Sequence, residues 1–168
     1  MITIRDERPD DADAIRRVIL DAFPTADEAD LVDALRADGQ LVSSLVAVLD
    51  GAIVGHAALS PVTVTGAERG VGLAPVAVAT ACQGRGVGAA LVSGALDAAR
   101  TRGAAFVVVL GAPAYYDRFG FGPASTWDLH DEFGGGDAFQ VCAFEPDVLR
   151  RGSGAVRYAP AFDRFTTG

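Results

Sequence analysis

Apolar and polar residues alternate at Ile2 and Ile4, the two-residue period of a short strand. The period then lengthens. Pro9-Asp10 opens a helix in which Ile15, Val18, Ile19, Ala22 and Phe23 fall at i, i+3, i+4, i+7 and i+8, one apolar stripe that Pro24 stops. Thr25-Ala26-Asp27-Glu28 has capping-box spacing, with Thr25 as N-cap and Glu28 three residues on. Leu31, Val32 and Leu35 share one face of this second predicted helix, which Gly39 ends.

Residues 44–49 and 52–64 are β-rich runs joined at Asp50-Gly51, a pair suited to a tight hairpin because both turn positions want φ > 0. Pro61 predicts an edge or a bend at the far end of the second run. Residues 71–79 form another apolar strand, and Pro75 inside it predicts a bulge or an unpaired stretch. Residues 86–102 read as a helix rich in small residues and closed by Gly103. A buried strand at 106–110 and a short helix or turn at 114–119 follow. After Gly122 the pattern weakens. Gly134-Gly135-Gly136 reads as a hinge or loop, 139–144 as a late strand, and the rest has little periodicity. With no internal repeat or linker, residues 1–168 read as a single domain.

Half of the 168 residues are apolar and 21% are charged, an ordinary globular balance. No apolar run approaches a membrane span, and the N-terminus lacks the pattern of a signal peptide, so the cytoplasm is the expected location. Cys82 and Cys142 are too few for a disulfide framework or a four-cysteine zinc site. The net charge of −8 argues against nucleic acid as a partner. Every basic residue is Arg. The absence of Lys excludes a Walker-type phosphate loop, a Schiff base and a Ser-Lys dyad.

The most informative stretch is residues 73–89, LAPVAVATACQGRGVGA, where a strand enters a Gly-rich turn and then a helix. Gly84, Gly86 and Gly88 let a ligand approach the backbone closely. The first amides of the helix carry the positive end of its dipole, an anion site of the phosphate type. Residues 69–96 hold no Asp or Glu, although acids make up 22 of the 168 residues. Gly84-x-Gly86-x-x-Ala89 formally matches a dinucleotide fingerprint. The acid that should follow at the end of the next strand is missing from Val109-Leu110-Gly111.

Gln83-Gly84-Arg85-Gly86-Val87-Gly88 resembles the Gln/Arg-x-x-Gly-x-Gly/Ala motif of the GNAT (Gcn5-related N-acetyltransferase) superfamily. Tyr116-Asp117-Arg118-Phe119-Gly120-Phe121 resembles that family's Tyr-x-x-x-Gly-Phe signature, in the family's order. Residues 72–91, 109–124 and the tail GSGAVRYAPAF at 152–162 resemble the YhbS-like predicted N-acetyltransferases, as does the hairpin Val54-Gly55-His56-Ala57. The resemblance implies an α/β (α+β) fold, with a mixed, mostly antiparallel sheet and helices on both faces. Its central parallel strands, near 76–79 and 106–110, splay apart to admit the coenzyme.

The resemblance also implies that acetyl-CoA is the co-substrate, with no metal. Gln83 to Ala89 would cradle its pyrophosphate, and Val76, Ala77 and Val78 would pair with its pantetheine arm. The backbone N–H of Val78 would stabilise the oxyanion, and Tyr116 rather than its neighbour Tyr115 would protonate the leaving thiolate. The acceptor would be a primary amine on a small molecule, attacked without an acyl-enzyme. A homodimer is common in the family. The sequence departs from members with a glutamate before the loop, since Gly72-Leu73-Ala74-Pro75 has no acid. Glu68, His56, His130, Asp128 and water are the alternatives for the base. Trp127, Phe133 and Phe139 are candidates for an acceptor pocket, with core packing as the alternative. A catalytically inactive acyl-CoA sensor is the competing reading, and it needs no base.

Overall fold

The computed structural model describes residues 1–165. Its strands are β1 (Ile2–Asp6), β2 (Ser43–Leu49), β3 (Ala52–Thr65), β4 (Ala67–Val78), β5 (Phe106–Leu110), β6 (Gly122–Pro123), β7 (Leu129–Asp131), β8 (Phe139–Ala143) and β9 (Ser153–Arg157). The sheet order is β1-β2-β3-β4-β5-β8-β6, and β9 bridges the far end of β3 to β7. The β4–β5 and β7–β9 pairs are parallel; the other pairings are antiparallel.

The helices are α1 (Ala12–Ala22), α2 (Asp27–Ala37), α3 (Val87–Thr101), α4 (Pro113–Tyr116) and α5 (Pro146–Leu149). The strand period of two divides the core between the faces. Leu45 and Ala47 of β2 pack with α3, while Val46 packs with α1. On β5, Val107 and Val109 face α3, and Phe106 and Val108 join Leu31 and Leu35 of α2. The small residues of α3 have a packing reason. A Cβ on Gly94 would lie 3.0 Å from Ile4 Cγ2, so glycine lets the helix sit close on β1.

Several expected elements stand where the pattern puts them. Asp50 and Gly51 both have positive φ in the β2–β3 hairpin. Pro61 does not end β3, but it falls between the stretch paired with β2, which stops at Leu59, and the stretch paired with β9, which begins at Thr63. Its missing N–H therefore breaks no ladder on that side.

The capping box does not form. Ala26 is the N-cap of α2, and Thr25 Oγ1 instead accepts a 3.3 Å bond from the Asp27 N–H. The Glu28 side chain is freed from the helix start. The Gly134–Gly136 segment is not a free hinge either. The Asp131 carboxylate accepts from the Phe133 N–H at 3.1 Å and from the Gly135 N–H at 2.9 Å, which holds Phe133 in place.

Candidate functional site

The site begins with a fault in β4. Between Ala57/Val76 and Leu59/Leu73 the β3–β4 register gains one residue on β4, a bulge at Ala74-Pro75 whose peptide bond is cis. A bulge bends its strand, and a proline supplies no donor. β4 is hydrogen-bonded to β5 only over Gly70–Gly72, opposite Phe106–Val108. Beyond that point β5 keeps its partner β8 as far as Leu110, and β4 departs from it. A gap opens between the two parallel strands.

The backbone facing this gap follows from ladder parity. The Ala79 N–H donates to Val54 O at 2.8 Å, so the 54/79 pair is hydrogen-bonded. Antiparallel pairs alternate. The 56/77 pair is therefore bonded, while 55/78 and 57/76 are not. The amides and carbonyls of Val76 and Val78 thus point away from β3 and into the gap. Gln83 Nε2, donating to Val78 O at 3.3 Å, reaches that carbonyl from the open side. The Ala77 side chain is turned the other way, against α1.

At one end of the gap lies the glycine turn. Gly84 and Gly86 have φ of 75° and 84°, with open space where a Cβ would stand. Gly86 is the N-cap of α3 and makes no side-chain cap, so the first amides of the helix are left for a ligand. Val87 is buried in the core and can contribute only its backbone. Gly88 lies under Tyr115, whose Oη would be 3.2 Å from a Cβ there, with Val78 Cγ2 at 3.7 Å. Arg85 is exposed and forms no ion pair among the described residues. The window without acids is not free of them in space. Asp21 of α1 accepts from the Thr80 N–H at 2.7 Å and anchors the start of the turn.

At the other end lies a cavity of about 380 Å³. β4 supplies Leu73, Ala74, Pro75 and Val76, and Leu110 stands at the end of β5. Phe23, Glu28 and Leu31 close it from the α1–α2 side. Phe133, Tyr158, Phe162 and Phe165 close it from the C-terminal segments. Tyr116 completes the lining, its ring packed over Gly111 and edge-on to Tyr115 and Phe121. Burial raises the Tyr116 pKa above that of an ordinary tyrosine, and the neighbouring Tyr115 adds to this. Its phenol is therefore protonated at neutral pH. Tyr158 is pushed up in the same direction, first by burial and then by Asp131 and Glu132.

None of the four residues considered as the base lines this cavity. Glu68 is exposed near the start of β4, roughly 16 Å of strand from Leu73. His130 and Asp128 are exposed on and before β7. Of the aromatic candidates, Phe133 lines the cavity, Phe139 is core, and Trp127 lies elsewhere beside Arg150. Sequence reasoning missed Glu28, Tyr158 and Phe162. Glu28 carried a signal for a cap, and the other two belonged to a weakly periodic tail.

His56 is fully buried opposite Val46 and Ala77. Its Nε2 is 2.8 Å from Ser44 Oγ, which donates to Glu7 at 3.0 Å, and Glu7 pairs with Arg36. Burial lowers its pKa to about 4, with Glu7 acting upward and Arg36 downward. Between pH 6.5 and 4 the unfolded chain takes up a proton that the folded chain refuses, so stability falls as pH falls. The loss across that window is expected to reach about 3 kcal/mol. Asp11, lowered to about 2 chiefly by its hydrogen bond from Arg5, acts only below the ordinary carboxylate range. Urea midpoints at pH 7 and 4.5 check this, since H56Q should flatten the difference. An equal fall in both proteins would place the titration elsewhere.

The acetyltransferase (GNAT) family model matches residues 12–121. The chain is 42% identical over 165 residues to the uncharacterised N-acetyltransferase YhbS of Escherichia coli K12, covering 96% of this chain and 99% of that one. A crystal structure of Escherichia coli YhbS in complex with CoA superposes with a TM-score of 0.91 at 42% identity, covering 98% and 93% of the two chains. A GNAT family acetyltransferase from Brucella melitensis in complex with acetyl-CoA gives a TM-score of 0.82 at 41% identity, covering 97% and 99%. Among the described residues no helix is long and apolar enough to cross a membrane.

Proposed function

This chain belongs to the GNAT family of acetyltransferases, and on that premise we propose that it transfers the acetyl group of acetyl-CoA to a primary amine held in the aromatic cavity. One observation carries the reading. The unpaired amides of Val76 and Val78 line a gap that joins an uncapped, glycine-led helix start to a cavity containing a protonated tyrosine. The relatives that bind CoA and acetyl-CoA share this fold at high coverage.

The chain's residues divide the work by position. The amides from Gln83 to Ala89 would receive the pyrophosphate, as the dipole of α3 favours negative charge there. The Val78 backbone would pair with the pantetheine arm. The family resemblance implies Val78 as the oxyanion donor, but that residue sits beside Gly88 and Tyr115 at the loop end. Val76 shares the cavity with Tyr116, so the Val76 N–H is the better donor to the developing oxyanion. The amine nitrogen forms its bond to the acetyl carbon, the carbon–sulfur bond breaks, and Tyr116 gives its proton to sulfur. The surplus proton on nitrogen leaves to solvent, and solvent returns a proton to the Tyr116 phenolate.

Titration calorimetry tests the first step. Acetyl-CoA should bind in the micromolar range, while NAD should not bind, because no acid follows β5 to hold its ribose. Tight NAD binding without acetyl-CoA binding would reverse the assignment of the glycine turn. The sensor reading gains only if acetyl-CoA binds and no amine is turned over.

A further inference from the structure

We propose that Glu28 binds the amino group of the acceptor, and that the acceptor is a primary amine on an aromatic or branched-alkyl body. The inference rests on the transferase reading and adds the acceptor's chemistry. Two observations carry it. Glu28 is the one charged residue in the cavity lining among the described residues. Its Oε2 is buried and has no hydrogen-bond partner among them.

Among the described residues, Oε2 is the one buried carboxylate oxygen left without a partner. Asp11 is held by Arg5, Glu7 by Arg36, Glu145 by Arg69, and Asp131 by backbone amides. A buried carboxylate oxygen without a partner is costly, and a protonated amine is the matching ligand. The rest of the lining selects the acceptor's body. Phe23, Leu31, Phe133 and Phe162 surround the space with apolar surface. A polyamine would strand its second ammonium among these rings. A guanidinium would bring five donors to a lining whose one charged group among the described residues is a single carboxylate. A lone ammonium on an apolar body satisfies both the carboxylate and the rings, and about 380 Å³ accommodates a body of phenethyl size.

The placement also suits the chemistry. Glu28 on α2 and Tyr116 on α4 line the same cavity as Val76. Once the ammonium held at Oε2 gives one proton to solvent, its nitrogen lone pair stands at the place where the thioester carbonyl would meet its N–H donor.

The test uses two nearly isosteric probes, phenethylamine and 2-phenylethanol, titrated calorimetrically into the full chain saturated with CoA. Wild type should prefer the amine by roughly 10- to 100-fold. E28Q should erase that preference while leaving affinity for the alcohol and for acetyl-CoA within about twofold. A merely structural role for Glu28 would shift all three ligands together. In turnover assays phenethylamine and isoamylamine should exceed spermidine in kcat/KM. A wild type indifferent to the ammonium, an E28Q that keeps the preference, or spermidine as the better substrate would each overturn the proposal. Loss of acetyl-CoA binding in wild type would instead sink the transferase reading beneath it.

Discussion

Replacing Tyr116 with Phe is expected to lower kcat by roughly 100- to 10,000-fold, the range for loss of a positioned general acid. The acetyl-CoA dissociation constant should stay nearly constant. The substitution removes one oxygen and keeps the ring that packs over Gly111 and against Phe121. In the proposed mechanism the hydroxyl neutralises the departing thiolate as the carbon–sulfur bond breaks. Burial raises the Tyr116 pKa further above neutrality, so the phenol carries the proton that the proposed mechanism needs. Y115F is the internal control. Tyr115 points to Gly88 at the loop end, and its ring is covered by Arg118 at 4.6 Å. Its loss should act on coenzyme affinity rather than on kcat. Single-turnover rates with a saturating amine separate the two. Comparable rates in Y116F and wild type would remove Tyr116 from the proton pathway and leave it as cavity wall.

Gly86→Asp should weaken acetyl-CoA binding by about 100-fold, whereas Gly86→Asn should cost tenfold or less. Both side chains tolerate positive φ better than other residues, and nothing lies within 4 Å of the new Cβ. Neither variant should unfold the chain. The difference between them is one negative charge at the N-cap of α3. An N-cap carboxylate competes for the amides of the first turn. It also repels an incoming pyrophosphate, and like charges about 5 Å apart at an effective dielectric near 20 cost about 3 kcal/mol. Titration in low and high salt provides the check, because the Asp penalty should shrink with screening while the Asn penalty should not. Equal affinities for the two variants would show that the anion does not bind at this helix start.

The reach of the sequence is clearest in the middle of the chain. α3 spans Val87–Thr101, within one residue of its predicted bounds at each end, and Phe106–Leu110 form β5 as predicted. Pro75 announced an irregular strand, and the bulge is there. These are local facts: a proline without a donor, a glycine free to take positive φ, a run of β-branched residues. Their outcome does not depend on what packs against them.

Other features depended on distant partners. Asp21 is remote in sequence from Thr80, yet its carboxylate anchors the turn that looked free of acids. His56 lay in a motif-bearing hairpin and was a candidate base, but period-two alternation points it under α1 and α2, into a network with Ser44, Glu7 and Arg36. Glu28 had the spacing of a capping residue, and the fold places it in the cavity as the one charge there among the described residues.

By itself the sequence determined the main elements up to residue 119, the late strand β8, the glycine turn and the resemblance to the family. Their signals reside in backbone conformation over a few consecutive residues. Only the tertiary structure decided which amides of β4 face the gap, that Val76 rather than Val78 lines the cavity with Tyr116, and which walls make that cavity. Those walls come from α1, α2, β4, β5, α4 and the C-terminal segments at once. A cavity is a relation among surfaces far apart in the chain, and no local period records it.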